Sequence, residues 1–74
     1  MTAIEIIQTI MNDSSTSLND LADYGDFGTK ENVYQMLHRN DLKVGTFVRM
    51  LEVMGFQLIA QSTESSEEYV LDYD

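Results

Sequence analysis

Residues 17–38 read SLNDLADYGDFGTKENVYQMLH, and this stretch decides the fold. Ser17 is a good N-cap. Asp20, three residues on, nearly completes a capping box, and its charge suits a helix N-terminus. Leu18, Leu21 and Ala22 then fall on one face of a short helix. Gly25 is expected to end it, and Gly28 frees the backbone again before Thr29, a second N-cap. From Lys30 to about His38 a further helix turns Val33, Met36 and Leu37 inward. Its outward positions are Lys30, Glu31, Tyr34, Gln35 and His38.

The flanking sequence supplies the rest of a core. Residues 3–11, AIEIIQTIM, place Ile4, Ile7 and Met11 in one row and Ile6 and Ile10 in another, a wide apolar face on a first helix. The polar run at 12–16 reads as the loop that ends it. After the connection RNDLK at 39–43, with Leu42 as its anchor, a fourth helix from Val44 to about Met54 has Phe47, Val48, Leu51 and Met54 at helical spacing. Gly55 fits its C-cap. FQLIAQ at 56–61 and the alternating residues 68–73, separated by a turn-like STESS, predict a β-hairpin with Phe56, Leu58, Tyr69 and Leu71 on one face. Without the hairpin, residues 62–74 would be an acidic disordered tail. The expected class is mainly α, with four helices followed by a hairpin. Residues 1–55 form the helical part, and 56–74 belong to the same unit.

Charge is unevenly spread. The chain has 74 residues and a net charge of −9, yet Lys30, Arg39, Lys43 and Arg49 are its only cations. Residues 28–50 hold all four, the single histidine His38, and two acids, Glu31 and Asp41; the other 51 residues hold 11 acids and no base. A mildly basic surface therefore sits on an acidic body. The acidic balance opposes nonspecific nucleic-acid binding, which depends on neutralised phosphates, while the local basic face can still orient an approach. A core of this size supplies only about 3–5 kcal/mol, so a partner chain helps. With no cysteine there is neither a disulfide framework nor a thiolate zinc site. No apolar run reaches the roughly 18 residues of a membrane span, and the N-terminus lacks a basic signal region. A soluble, cytoplasmic domain is the expectation.

Two short helices joined by a glycine-containing turn, the second basic and amide-bearing, make the helix-turn-helix pattern. Ala22 is the small residue the crossing needs, and Val33 locks its angle. Thr29 stands at the helix N-terminus, where free N–H groups and the helix dipole favour phosphate. Lys30 can donate to guanine acceptors, and Gln35 can pair with adenine in a bidentate way. Tyr34 offers a phosphate donor or a thymine-methyl contact. Arg39, Asn40 and Lys43 follow the helix, where neighbours of a recognition helix hold the DNA backbone. His38 reads as a surface or phosphate-facing histidine, because no second metal-ligand type lies nearby.

Residues 17–61 resemble the Cro and phage-repressor (XRE) helix-turn-helix family. The resemblance is carried by L-x-x-L-A at 18–22, by Thr29-Lys30-Glu31-Asn32-Val33, and by NVYQMLHRNDLKVGTFVRMLEVMGFQLIA at 32–60. The stretch VGTFVRMLEVMGFQL is similar to the closing helix of small phage and bacterial members in which a strand follows. The resemblance implies a lambda-repressor-like fold and transcriptional regulation, usually by a dimer. It also implies that Thr29 caps the recognition helix, with Lys30, Glu31, Tyr34 and Gln35 facing DNA. Three departures accompany it, one of them the unusually negative net charge of −9. Ala22 and Val33 are 11 apart, one more than the family spacing, so the intervening turn is longer and carries an acid. Glu31 repels phosphate unless it accepts from a cytosine amine.

The expected partner is double-stranded DNA, bound by a homodimer reading half-sites about 34 Å apart. The rival is a protein partner. The same fold without a DNA role would be an acidic interaction module or DNA mimic, for example a phage inhibitor of a host nucleic-acid enzyme, drawn to a basic groove by complementary potential. A third option is a dimerisation domain acting through its hairpin. Asn19, Asp20, Asp23 and Asp26 miss the calcium-loop pattern and read as capping and solvating residues. Met11, Met36, Met50 and Met54 read as core filler, with Met50 suited to a subunit contact if it lies off the core stripe. Tyr69 and Tyr73 either pack on the core or form a dimer seam. There is no nucleophile elbow or phosphate loop, so neither an enzyme, nor a cofactor, nor a small-molecule substrate is expected.

Overall fold

A computed structural model describes residues 1–39 and 42–72. Within them the order is α1 (Ala3–Ser14), α2 (Leu18–Gly25), α3 (Lys30–His38), α4 (Val44–Val53), β1 (Leu58–Gln61) and β2 (Glu68–Leu71). Helix α4 is central: both α1 and α2 pack on it, and α2 packs on α3. The fully buried side chains are Ile7 of α1, Leu21 of α2, Val33 of α3 and Val48 and Met50 of α4. Ala22 of α2 and Val33 of α3, two helices that pack together, are 2% and 0% exposed. The mainly helical architecture with a C-terminal hairpin is the one the spacing predicts.

Three helices start on side-chain caps. Ser17 and Asp20 form a complete reciprocal box at α2, and Thr29 accepts from the Asn32 amide at α3. Thr2 and Glu5 form a second full box at α1, an unforeseen T-x-x-E signal. The Thr2 amide, and after it the Thr2 hydroxyl, hold the exposed Glu5 carboxyl below its usual pKa. At α4 the N-cap is Lys43, which makes no side-chain cap bond.

Three helix ends close in the same way. At α1 the Thr16 amide donates to the Met11 carbonyl at 2.8 Å, with Ser15 left-handed at φ 56°. At α2 the Phe27 amide donates to Ala22, with Asp26 left-handed. At α4 the Phe56 amide donates to Leu51, with Gly55 left-handed as expected. These are Schellman closures. They correct two boundaries. Helix α1 runs through Asn12, Asp13 and Ser14, residues whose polarity reads as loop but whose backbone has no reason to stop before Ser15. The α2–α3 turn bends at Asp26, while Gly25 remains helical and buried.

Gly25 has a different task. A Cβ there would run into the Phe27 ring, and Phe27 packs half-buried against the core. The longer turn is thus held by a ring lying over a glycine, with the Asn32 amide donating to the Phe27 carbonyl at 2.7 Å.

Met50 is 0% exposed, which removes it as a subunit contact. Because α4 is packed by both α1 and α2, its buried arc is wider than a single stripe. Met11, Met36 and Met54 lie half-buried on the same core.

The strands are antiparallel, pairing Leu58 with Leu71, Ile59 with Val70, Ala60 with Tyr69 and Gln61 with Glu68. They are shorter than predicted at the start, since Phe56 is used to close α4. Leu58, Tyr69 and Leu71 do share a face, but only Leu58 reaches the core. Tyr69 is 66% exposed, so it does not pack inside; Tyr73 lies outside the described residues. Serines shape the turn, with the Ser62 hydroxyl accepting from the Glu64 and Ser65 amides.

Candidate nucleic-acid interface

The outer face of α3 is built by exclusion. Val33 and Leu37 are buried and Met36 is half-buried, so the helix can present only its remaining side to solvent. That side carries Lys30, Glu31, Tyr34, Gln35 and His38, all exposed. Nine residues at about 1.5 Å each give a helix some 13 Å long, enough to lie along one major-groove segment. Thr29 fixes where it begins, and its own hydroxyl is already engaged by the Asn32 amide at 3.3 Å.

Tyr34 and His38 form one unit. Their rings stack with centroids 3.9 Å apart and planes 22° apart. His38 Nδ1 lies 2.8 Å from the Tyr34 carbonyl oxygen. A carbonyl only accepts, so Nδ1 is the donor in this hydrogen bond. The i, i+4 spacing was the available signal for this pair, which sequence reasoning treated as two separate residues. Beside the pair lies an open cleft of about 620 Å³, floored by Met11, Leu18 and Leu37.

Beyond α3 the chain brings Arg39 and Lys43 to one place. Both line a smaller cleft of about 230 Å³ with Met36, Leu42 and Thr46. This cleft opens where α4 begins, so unpaired N–H groups of the first turn add to the positive field of the two side chains. Asn40, the third residue expected to hold a DNA backbone, lies outside the described residues. Arg49, the fourth cation, sits half-buried on α4.

The site can therefore offer a cationic donor at Lys30, a flat amide at Gln35, an aromatic pair, and two clustered cations. It also keeps one acid, Glu31, on the same exposed face. Among the described residues no three histidine, aspartate or glutamate side chains gather as metal ligands would. No described helix is long and apolar enough to cross a membrane. No family model, curated protein or solved structure matches the chain.

Proposed function

We propose that the protein is a sequence-specific DNA-binding regulator of the Cro and phage-repressor kind, acting in the cytoplasm as a dimer. Helix α3 lies in the major groove. Lys30 and Gln35 read base edges, and the Tyr34–His38 pair covers a neighbouring sugar, phosphate or thymine methyl. Arg39 and Lys43 each hold a phosphate where their shared cleft opens, and Thr29 with the first turn of α3 faces another. The observation that carries this reading is the pairing of an exposed polar α3 face with a two-cation cleft at the start of α4.

The rival, an acidic module for a basic protein surface, draws on the net charge of −9 and on Glu31 within the exposed face. Fluorescence anisotropy on DNA from around the protein's own gene, with random DNA as competitor, separates the two. The DNA reading expects binding that outlasts the competitor, and a loss of at least about tenfold in affinity for Lys30→Ala with Gln35→Ala, at about 1–3 kcal/mol per base contact. Absence of binding at micromolar protein would transfer the proposal to the acidic module.

A further inference from the structure

The helices close around a buried core, although Tyr24, Tyr34 and Val44 stay exposed on them, whereas neither strand of the hairpin has a buried residue. Ile59, Tyr69, Val70 and Leu71 are 43%, 66%, 48% and 42% exposed, on both faces of a two-stranded sheet. A lone hairpin is marginal in water unless something covers it. The surface total points the same way. The chain exposes 5350 Å² at a mass of 8.4 kDa. A folded monomer of that mass exposes about 4600 Å², so the excess is roughly 700 Å². One partner in a standard interface buries about 800 Å².

The two open edges differ in charge. Residues 53–63, which include all of β1, contain no charged side chain. Edge strands in soluble proteins are normally blunted by charge, proline or a bulge, and β1 has none of these. By contrast β2 is flanked by Glu67 and Asp72 and begins at Glu68. Two copies of β2 paired about Val70 would set Glu68 opposite Asp72 twice, which like-charge repulsion opposes. Two copies of β1 paired about Ile59 set Gln57 opposite Gln61, Leu58 opposite Ala60, and Ile59 opposite itself, with no charge at the seam.

Backbone alternation allows it. The Ser62 amide donates to the Glu67 carbonyl at 2.9 Å, which sets the hydrogen-bonding phase of the hairpin. Counting back by twos, Ser62 and Ala60 face β2, so Ile59 and Gln61 turn their N–H and C=O groups to the open side. We infer that a second copy of this chain pairs with the open edge of β1, making a continuous four-stranded sheet in the order β2–β1–β1–β2. The two-fold axis is perpendicular to that sheet, so both helical bodies lie on its same side. This gives the dimer of the proposed regulator a seam, but its observations belong to the hairpin and not to α3.

Sedimentation equilibrium without DNA tests it. The chain is expected to sediment at twice its monomer mass at tens of micromolar. Ile59→Pro removes an N–H that points only to the open edge, so the hairpin ladder keeps its bonds while the seam loses one. This variant is expected to sediment as a monomer with unchanged helical circular dichroism. Val70→Pro does the same to the open edge of β2 and should remain dimeric. A monomeric parent chain overturns the inference, as does an Ile59→Pro dimer, or dissociation by Val70→Pro alone. Amide exchange supplies a readout independent of any variant: Ile59 and Gln61 should be protected at high concentration and lose protection on dilution, and equal exchange at both concentrations would also overturn it. Since no DNA is present, a failure here leaves the α3 reading standing, and loss of DNA binding leaves the seam standing.

Discussion

Gly25 and Ser15 exchange the roles usually assigned to glycine and serine. Gly25 has helical geometry and needs no glycine for its backbone, yet its missing Cβ is where the Phe27 ring lies. Ser15 adopts φ 56°, a left-handed angle that favours glycine, without being one. The two positions should therefore respond in opposite directions. Gly25→Ala forces the Phe27 ring off the core and is expected to cost about 1–3 kcal/mol, as overpacking does. Ser15→Gly relieves left-handed strain of about 1–2 kcal/mol against an entropy cost of about 0.5–1 kcal/mol, for a net gain of up to about 1.5 kcal/mol. Urea unfolding at fixed protein concentration reads both. A neutral Gly25→Ala would mean that Phe27 does not anchor the turn.

Helix α4 begins against the rules the other three follow. Thr2, Ser17 and Thr29 cap their helices, whereas Lys43 stands at the α4 N-cap with no cap bond and with its charge at the positive end of the dipole. A local rule broken at a cation beside Arg39 is what a phosphate-holding position predicts. Lys43→Ser is accordingly expected to stabilise the fold by about 1 kcal/mol, a rise of several degrees in Tm, while weakening DNA binding. A variant that loses both stability and affinity would make Lys43 a structural residue. At this scale much was legible. The limits of α3 followed from Thr29 and from Val33, Met36 and Leu37, and the hairpin followed from alternation around a serine-rich turn. What was hidden depends on tertiary path. The meeting of Arg39 and Lys43 at one cleft is a tertiary feature that periodicity does not encode, and the burial of Met50 required knowing that α4 is packed by two helices. The end of α1 was misplaced because polar residues can continue a helix on its solvent side. The α3 surface was legible as a set of exposed positions, but not as the stacked Tyr34–His38 pair.

Over the whole molecule, the four cations fall within residues 28–50 of an acidic chain, so the proposed DNA binding is expected to depend strongly on salt. The chain is also extended, with a Cα radius of gyration of 12.9 Å and a long axis of 41 Å, against about 11 Å for a compact chain of this length. Each protomer brings two described cations, Arg39 and Lys43, to one cleft, where each is expected to neutralise one phosphate. A single bound protomer would then lose affinity with a slope of roughly −2 in log K against log salt, and a dimer on two half-sites with roughly −4, at about −0.9 per neutralised phosphate. Anisotropy titrations between about 50 and 200 mM salt measure that slope. The dimer is expected, and Ile59→Pro should halve the slope by leaving one protomer on each half-site. Lys43→Ser should remove about two units from the dimer's slope, one for each copy. A slope near zero with retained binding would mean that contact is made through Lys30, Gln35 and the aromatic pair without phosphate neutralisation. The Arg39–Lys43 cleft would then have no part in holding DNA.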